Sequence, residues 1–71
     1  MDWELKQRDK SFVKLNLSVD FARKYANDLF NEDSRAARLI EIFYKSSSMY
    51  FFKIKDGKGN TIFSLKQINS H

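Results

Sequence analysis

The segment from Tyr50 to Lys66, YFFKIKDGKGNTIFSLK, sets lysines beside aromatic and aliphatic residues at alternate positions. An exposed aromatic ring can stack on a nucleobase while neighbouring lysines neutralise its phosphates. Read as a β-hairpin, the segment sorts its side chains onto two faces. Phe51, Lys53 and Lys55 fall with Ile62, Ser64 and Lys66, whereas Tyr50, Phe52 and Ile54 fall with Thr61, Phe63 and Leu65. That division needs a connection of even length around Asp56, Gly57, Lys58 and Gly59, because an odd loop would scramble the sets. The candidate binding residues are therefore Phe51, Lys53, Lys55, Lys58, Ile62 and Lys66, with Lys58 in the turn, where solubility is its first use. The competing reading has Phe51 and Ile62 covered by another hairpin or a second subunit, with lysines guarding a sheet edge.

Other chemistry is excluded by residue type. Cys is absent, which removes thiolate nucleophiles, disulfides and thiolate metal sites. The one His is His71, so no His-based triad or His metal cluster can be assembled. Gly57 and Gly59 lie in a turn between strands rather than ahead of a helix, and match no phosphate-cradling loop. Glu32 and Asp33 are adjacent carboxylates that could share a hard cation, but a helix cap and a solvated neighbour account for them. Arg38, Glu41 and Lys45 have the spacing of ion pairs on a helix surface. The chain reads as non-catalytic, with no cofactor and no metal.

The candidates need elements to hold them. Residues 1–17 read as a first hairpin, in which Trp3 and Leu5 alternate with polar neighbours, as do Val13, Leu15 and Leu17. A loop at Arg8, Asp9 and Lys10 sets Leu5 opposite Val13 and Trp3 opposite Leu15, with Glu4, Lys6, Phe12, Lys14 and Asn16 on the other face. Ser18 is suited to cap a helix, with Asp20 in its first turn. Val19, Ala22, Ala26, Leu29 and Phe30 share a helical face, and Ala36, Ala37, Ile40, Phe43 and Tyr44 continue it in phase. Asp33 falls inside that stripe, where an unpaired carboxylate is costly. A single helix over 18–46 would be about 44 Å long at about 1.5 Å per residue, longer than the roughly 30 Å width of a domain this small. A break near Asn31, Glu32 and Asp33, with Asp33 or Asn31 as the N-cap of a second helix, is preferred. The expected fold is one α+β domain over 1–71: a small antiparallel sheet of two β-hairpins packed against a helical hairpin, in the order ββ-αα-ββ.

Composition sets the partners to expect. The formal charge is +4, and the stretch 47–71 holds Lys53, Lys55, Lys58 and Lys66 against Asp56 alone. Such a local excess attracts nucleic acid, single-stranded above all given the aromatics, or an acidic or nucleic-acid-handling protein. Seventy-one residues without disulfides lie near the lower limit for independent folding, which favours a homodimer. No apolar run approaches the ~18 residues of a membrane span and no secretory signal opens the chain, so a soluble cytoplasmic protein is expected. Richness in Asn, Lys, Phe and Ile suits a reading frame of a compact viral or mobile-element genome, acting in the host cytoplasm. That origin suggests an alternative function, inhibition of a host protein by direct contact. In element order, size and charge the chain also resembles small basic ribonuclease toxins of the RelE type. The resemblance implies Arg, Lys and Tyr chemistry on RNA, yet no Arg follows Arg38 and the expected further C-terminal strand is missing.

Overall fold

Alternation at the start of the chain produces a hairpin in the expected register. In the computed structural model, which describes residues 1–68, β1 (Asp2–Gln7) pairs antiparallel with β2 (Val13–Asn16). Trp3 stands opposite Leu15, and Leu5 opposite Val13. Ser18 then caps α1 (Val19–Glu32), its hydroxyl accepting from the Phe21 backbone N–H at 3.3 Å. His71, the one residue on which imidazole chemistry was considered, lies outside the described residues.

The helix ends where the break was expected, but no second helix follows. Asp33 is the C-cap of α1 rather than an N-cap, and its backbone N–H donates to Leu29 O at 3.2 Å. Its carboxylate turns to Arg35, accepting from the backbone N–H at 2.9 Å and from the guanidinium at 2.8 and 3.1 Å. Those bonds hold the Asp33 carboxyl below the usual carboxylate range, and the side-chain bond is the largest cause. The residues assigned to a second helix form a strand, β3 (Ala36–Tyr44), followed by β4 (Met49–Asp56) and β5 (Thr61–Ile68). The run LIEIFY is rich in β-branched and aromatic residues, which favour a pleated surface. Glu41 tolerates the helix-facing side because Arg23 of α1 donates to its two carboxylate oxygens from Nη2 and Nε, at 2.8 and 3.3 Å. Glu41 therefore pairs with α1 and not with Arg38 or Lys45. The two-helix element order behind the likeness to ribonuclease toxins is also absent.

The five strands make one antiparallel sheet in the order β2-β1-β5-β4-β3, so the terminal segments join at its centre. Leu5 pairs with Leu65 and Trp3 with Gln67 across the β1–β5 seam. The fold is thus a small α+β domain with one helix on one sheet face, in place of separate hairpins against a helical pair. Its long axis is 35 Å, short of the continuous helix considered above.

Trp3, Leu5, Phe52 and Leu65 from the sheet pack on Ala22 and Ala26 of α1. Two alanines four apart let the helix backbone approach the large rings. Trp3 is fully buried, and its indole N–H donates to Leu17 O at 2.9 Å. Gln67 is the buried polar residue of the core and is satisfied: its Oε1 accepts from Tyr50 N at 3.0 Å, and its Nε2 meets Met1 Sδ at 3.1 Å.

The last connection differs from the even loop expected. Asp56 N donates to Asn60 O and Gly59 N to Asp56 O, which encloses three residues, with Gly59 at φ 86°. This is an odd, three-residue hairpin loop with Gly59 as its left-handed residue, and it replaces the even connection. A register shift between Ile54 and Lys55 then absorbs one residue of β5. Phe52 and Ile54 still face Leu65 and Phe63, but Thr61 moves to the side of Lys55. The Asp56 carboxylate accepts from the N–H groups of Lys58 and Asn60, and these backbone bonds, with Asn60 the largest cause, lower its pKa.

Candidate nucleic-acid interface

Because α1 covers one side of the sheet, side chains alternating to the other side have no second layer above them among the described residues. On that open face the residues line up in rows across the strands. Ile42, Phe51, Lys66, Glu4 and Lys14 form one row, and Ile40, Lys53, Ser64 and Lys6 the next. Arg38, Lys55 and Thr61 make the third.

Four of the candidate residues come together here: Phe51, Lys53, Lys55 and Lys66. Lys66 is exposed, and the other three are half-buried. Half-burial of Lys53 and Lys55 reflects aliphatic stems lying along the sheet beneath charged tips. The Lys53 ammonium sits 5.4 Å from the centroid of the Phe51 ring. A base stacking on Phe51 would take that position and free the ammonium for a phosphate.

Two candidates are not on this face. Ile62 is 1% exposed: it lies where the β5 register shifts, Arg8 N donates to its carbonyl at 3.2 Å, and its side chain is buried rather than presented beside Phe51. Lys58 is exposed in the turn beyond the end of the sheet.

Sequence reasoning missed other members of the face. Arg38, Ile40 and Ile42 join it from β3, a segment read as helix. Lys6, Lys14 and Glu4 had been grouped correctly on one side of the first hairpin; the missing fact was the β1–β5 pairing that merges both faces.

The merged face carries six bases, Lys6, Lys14, Arg38, Lys53, Lys55 and Lys66, against two acids, Asp2 and Glu4. Among the described residues all four ion pairs use arginine: Arg8 with Asp56, Arg23 with Asp20 and Glu41, and Arg35 with Asp33. No lysine of the open face is neutralised by a carboxylate within ion-pair distance. The result is a pleated surface about an aromatic centre, with Lys53 next to Phe51 along β4 and Lys66 next to it across β5. Such a surface attracts anions from solution and offers a ring to an unstacked base.

Comparisons with family models, with curated proteins and with solved structures find no match to this chain. No helix among the described residues is long and apolar enough to cross a membrane.

Proposed function

We propose that the chain is a small non-catalytic module that binds single-stranded nucleic acid on the open face of its sheet. The observation that carries this reading is the set of unpaired lysines around Phe51 on a face that α1 leaves uncovered. A duplex hides its bases from such a platform, whereas a single strand can lay them on it. Phosphates then fall to Lys53, Lys55 and Lys66, and to Lys6 and Arg38 at the sides.

Fluorescence anisotropy with labelled single- and double-stranded oligonucleotides tests the idea. Single strands should bind more tightly, and affinity should fall as salt rises because condensed counterions are released. Phe51→Ala should cost about 1–3 kcal/mol of affinity and leave the salt slope nearly unchanged, as expected for a lost stacking partner. Absence of binding at low salt, where charge attraction is least screened, sinks the reading.

A second reading, contact with a protein, draws on β3. This strand of nine residues lies at the sheet edge with one neighbour, and its last two residues, Phe43 and Tyr44, are 47% and 51% exposed. A strand from another chain can add to such an edge through backbone hydrogen bonds. A second copy of this chain is the simplest source, in keeping with the homodimer that so small a domain favours. Sedimentation equilibrium at micromolar concentration should then give about twice the 8.4 kDa chain mass. A single monomeric species throughout the accessible range removes the self-pairing.

A further inference from the structure

Beside the open face, β1, β5 and the loop after β1 enclose a hollow of about 260 Å³, lined by Lys6, Gln7, Arg8, Thr61, Ile62 and Ser64. We propose that this hollow is a phosphate-binding pocket. The inference rests on the reading of the open face as a nucleic-acid platform, and it names where one phosphate of the bound strand is held.

The chemistry of the lining is specific. Two cations, Lys6 and Arg8, and two hydroxyls, Thr61 and Ser64, surround a floor made by the buried Ile62. Among the described residues neither hydroxyl, nor the Lys6 ammonium, is engaged in a hydrogen bond. Arg8 has one loose tie, Nη1 to Asp56 Oδ2 at 3.9 Å, which leaves most of its five N–H donors free. The Asp56 carboxylate offsets part of that charge, but its Oδ1 is taken by the N–H groups of Lys58 and Asn60. Charge-assisted donors and hydroxyls converging on a concavity suit a tetrahedral oxyanion.

Two other hollows among the described residues contrast with this one. The one across Arg8 includes Asp9, and the one at the end of α1 includes Glu32 and Asp33, so acids line both. No carboxylate lines the hollow at Lys6. The one-residue shift in β5 creates it, since the shift puts Thr61 on the same side as Ser64.

Position ties the pocket to the stacking platform. Ser64 pairs with Lys6 on one side and Lys53 on the other, while Phe51 pairs with the next outward residue of β5, Lys66. Ser64 and Phe51 are therefore diagonal neighbours, about 7–8 Å apart. A base on Phe51 and a nearby phosphate in the pocket can belong to the same strand. The phosphate can be a terminal monoester or an internal diester.

An amide-resolved NMR titration of the full chain with inorganic phosphate, against sodium chloride at matched ionic strength, tests the pocket without any oligonucleotide. Saturable shifts at Arg8, Ile62 and Ser64 that chloride does not reproduce are the expected result, and their absence overturns the pocket. Anisotropy with 5′-phosphorylated and 5′-hydroxyl forms of one oligonucleotide then separates the two sources. With a terminal monoester in the pocket, phosphorylation tightens binding, and Lys6→Gln or Arg8→Gln removes the gain. With an internal diester, phosphorylation changes little, yet each variant weakens both forms about fivefold at about 0.1 M salt, the loss of one counterion-releasing contact. Oligonucleotide binding that neither variant disturbs overturns the pocket while leaving the platform intact. Phosphate shifts in a chain that binds no oligonucleotide overturn the platform alone.

Discussion

Trp3→Ala should leave the chain largely unfolded in water at 25 °C. Trp3 is fully buried between the sheet and α1, its ring 5.9 Å from that of Phe52. Its indole N–H also satisfies Leu17 O, just ahead of the helix cap. Truncating a buried aromatic of this size costs about 3–5 kcal/mol, and the orphaned carbonyl adds to that. A chain of 71 residues has roughly 4–10 kcal/mol of total stability to lose. With no disulfide as an additional restraint, little remains. Phe21→Ala is the matched control, because Phe21 is 64% exposed and its removal should change stability by no more than about 0.5 kcal/mol. Urea melts followed by far-UV circular dichroism compare the two without relying on tryptophan fluorescence. A Trp3→Ala chain that still melts cooperatively near the wild-type midpoint would place the centre of the core elsewhere.

That core was legible in the sequence wherever a single period dominated. Trp3 and Leu5 against Val13 and Leu15 have one apolar and one polar face, so the register has one good solution, and the structure adopts it. Ser18 and Asp20 announce the start of α1 by local hydrogen-bonding chemistry alone; the carboxylate of Asp33 in the apolar stripe marks where it ends, though as a C-cap and not as the start of another helix. The stretch 36–44 had no such single answer. Ala36, Ala37, Ile40, Phe43 and Tyr44 satisfy a helical period, yet the full run is apolar to both sides because β3 is half-covered on one face and flanks Phe51 on the other. Length and pattern cannot separate a helix from a strand in that case. Its tertiary partners decided it: Arg23 for Glu41, and β4 along its whole length. The open face was half legible for a related reason. Alternation placed Phe51, Lys53, Lys55 and Lys66 on one face, but Ile62 was lost from it to a register shift that compensates an odd loop at Gly59. Two one-residue irregularities that cancel leave no trace in a periodic pattern.

Replacing Lys53, Lys55 and Lys66 together by Gln should produce the largest functional loss. Each phosphate neutralised on a single strand contributes about 0.7 to the dependence of log K on log salt. Three lost contacts therefore lower the slope by about 2 and, at about 0.1 M salt, weaken binding about a hundredfold. The fold should survive. Lys66 is exposed, Lys53 and Lys55 are only half-buried and Gln keeps the first two methylenes of each, and no lysine is ion-paired among the described residues. The one defined interaction removed is Lys53 over Phe51, worth about 0.5–1 kcal/mol at an exposed site. A second triple variant, Lys24, Lys45 and Lys58 each to Gln, removes three charges from the same formal +4 but takes all of them from exposed positions off the open face. It tests whether binding depends on a surface or only on net charge. Long-range attraction depends on the total, whereas counterion release depends on which phosphates are touched. The control should therefore retain the wild-type salt slope and lose no more than a few-fold in affinity. Equal losses in the two triples would mean that the strand is drawn to the chain as a whole. Phe51 and its lysines would then be one half-buried aromatic among ordinary soluble edges, and the open face would have to serve another partner.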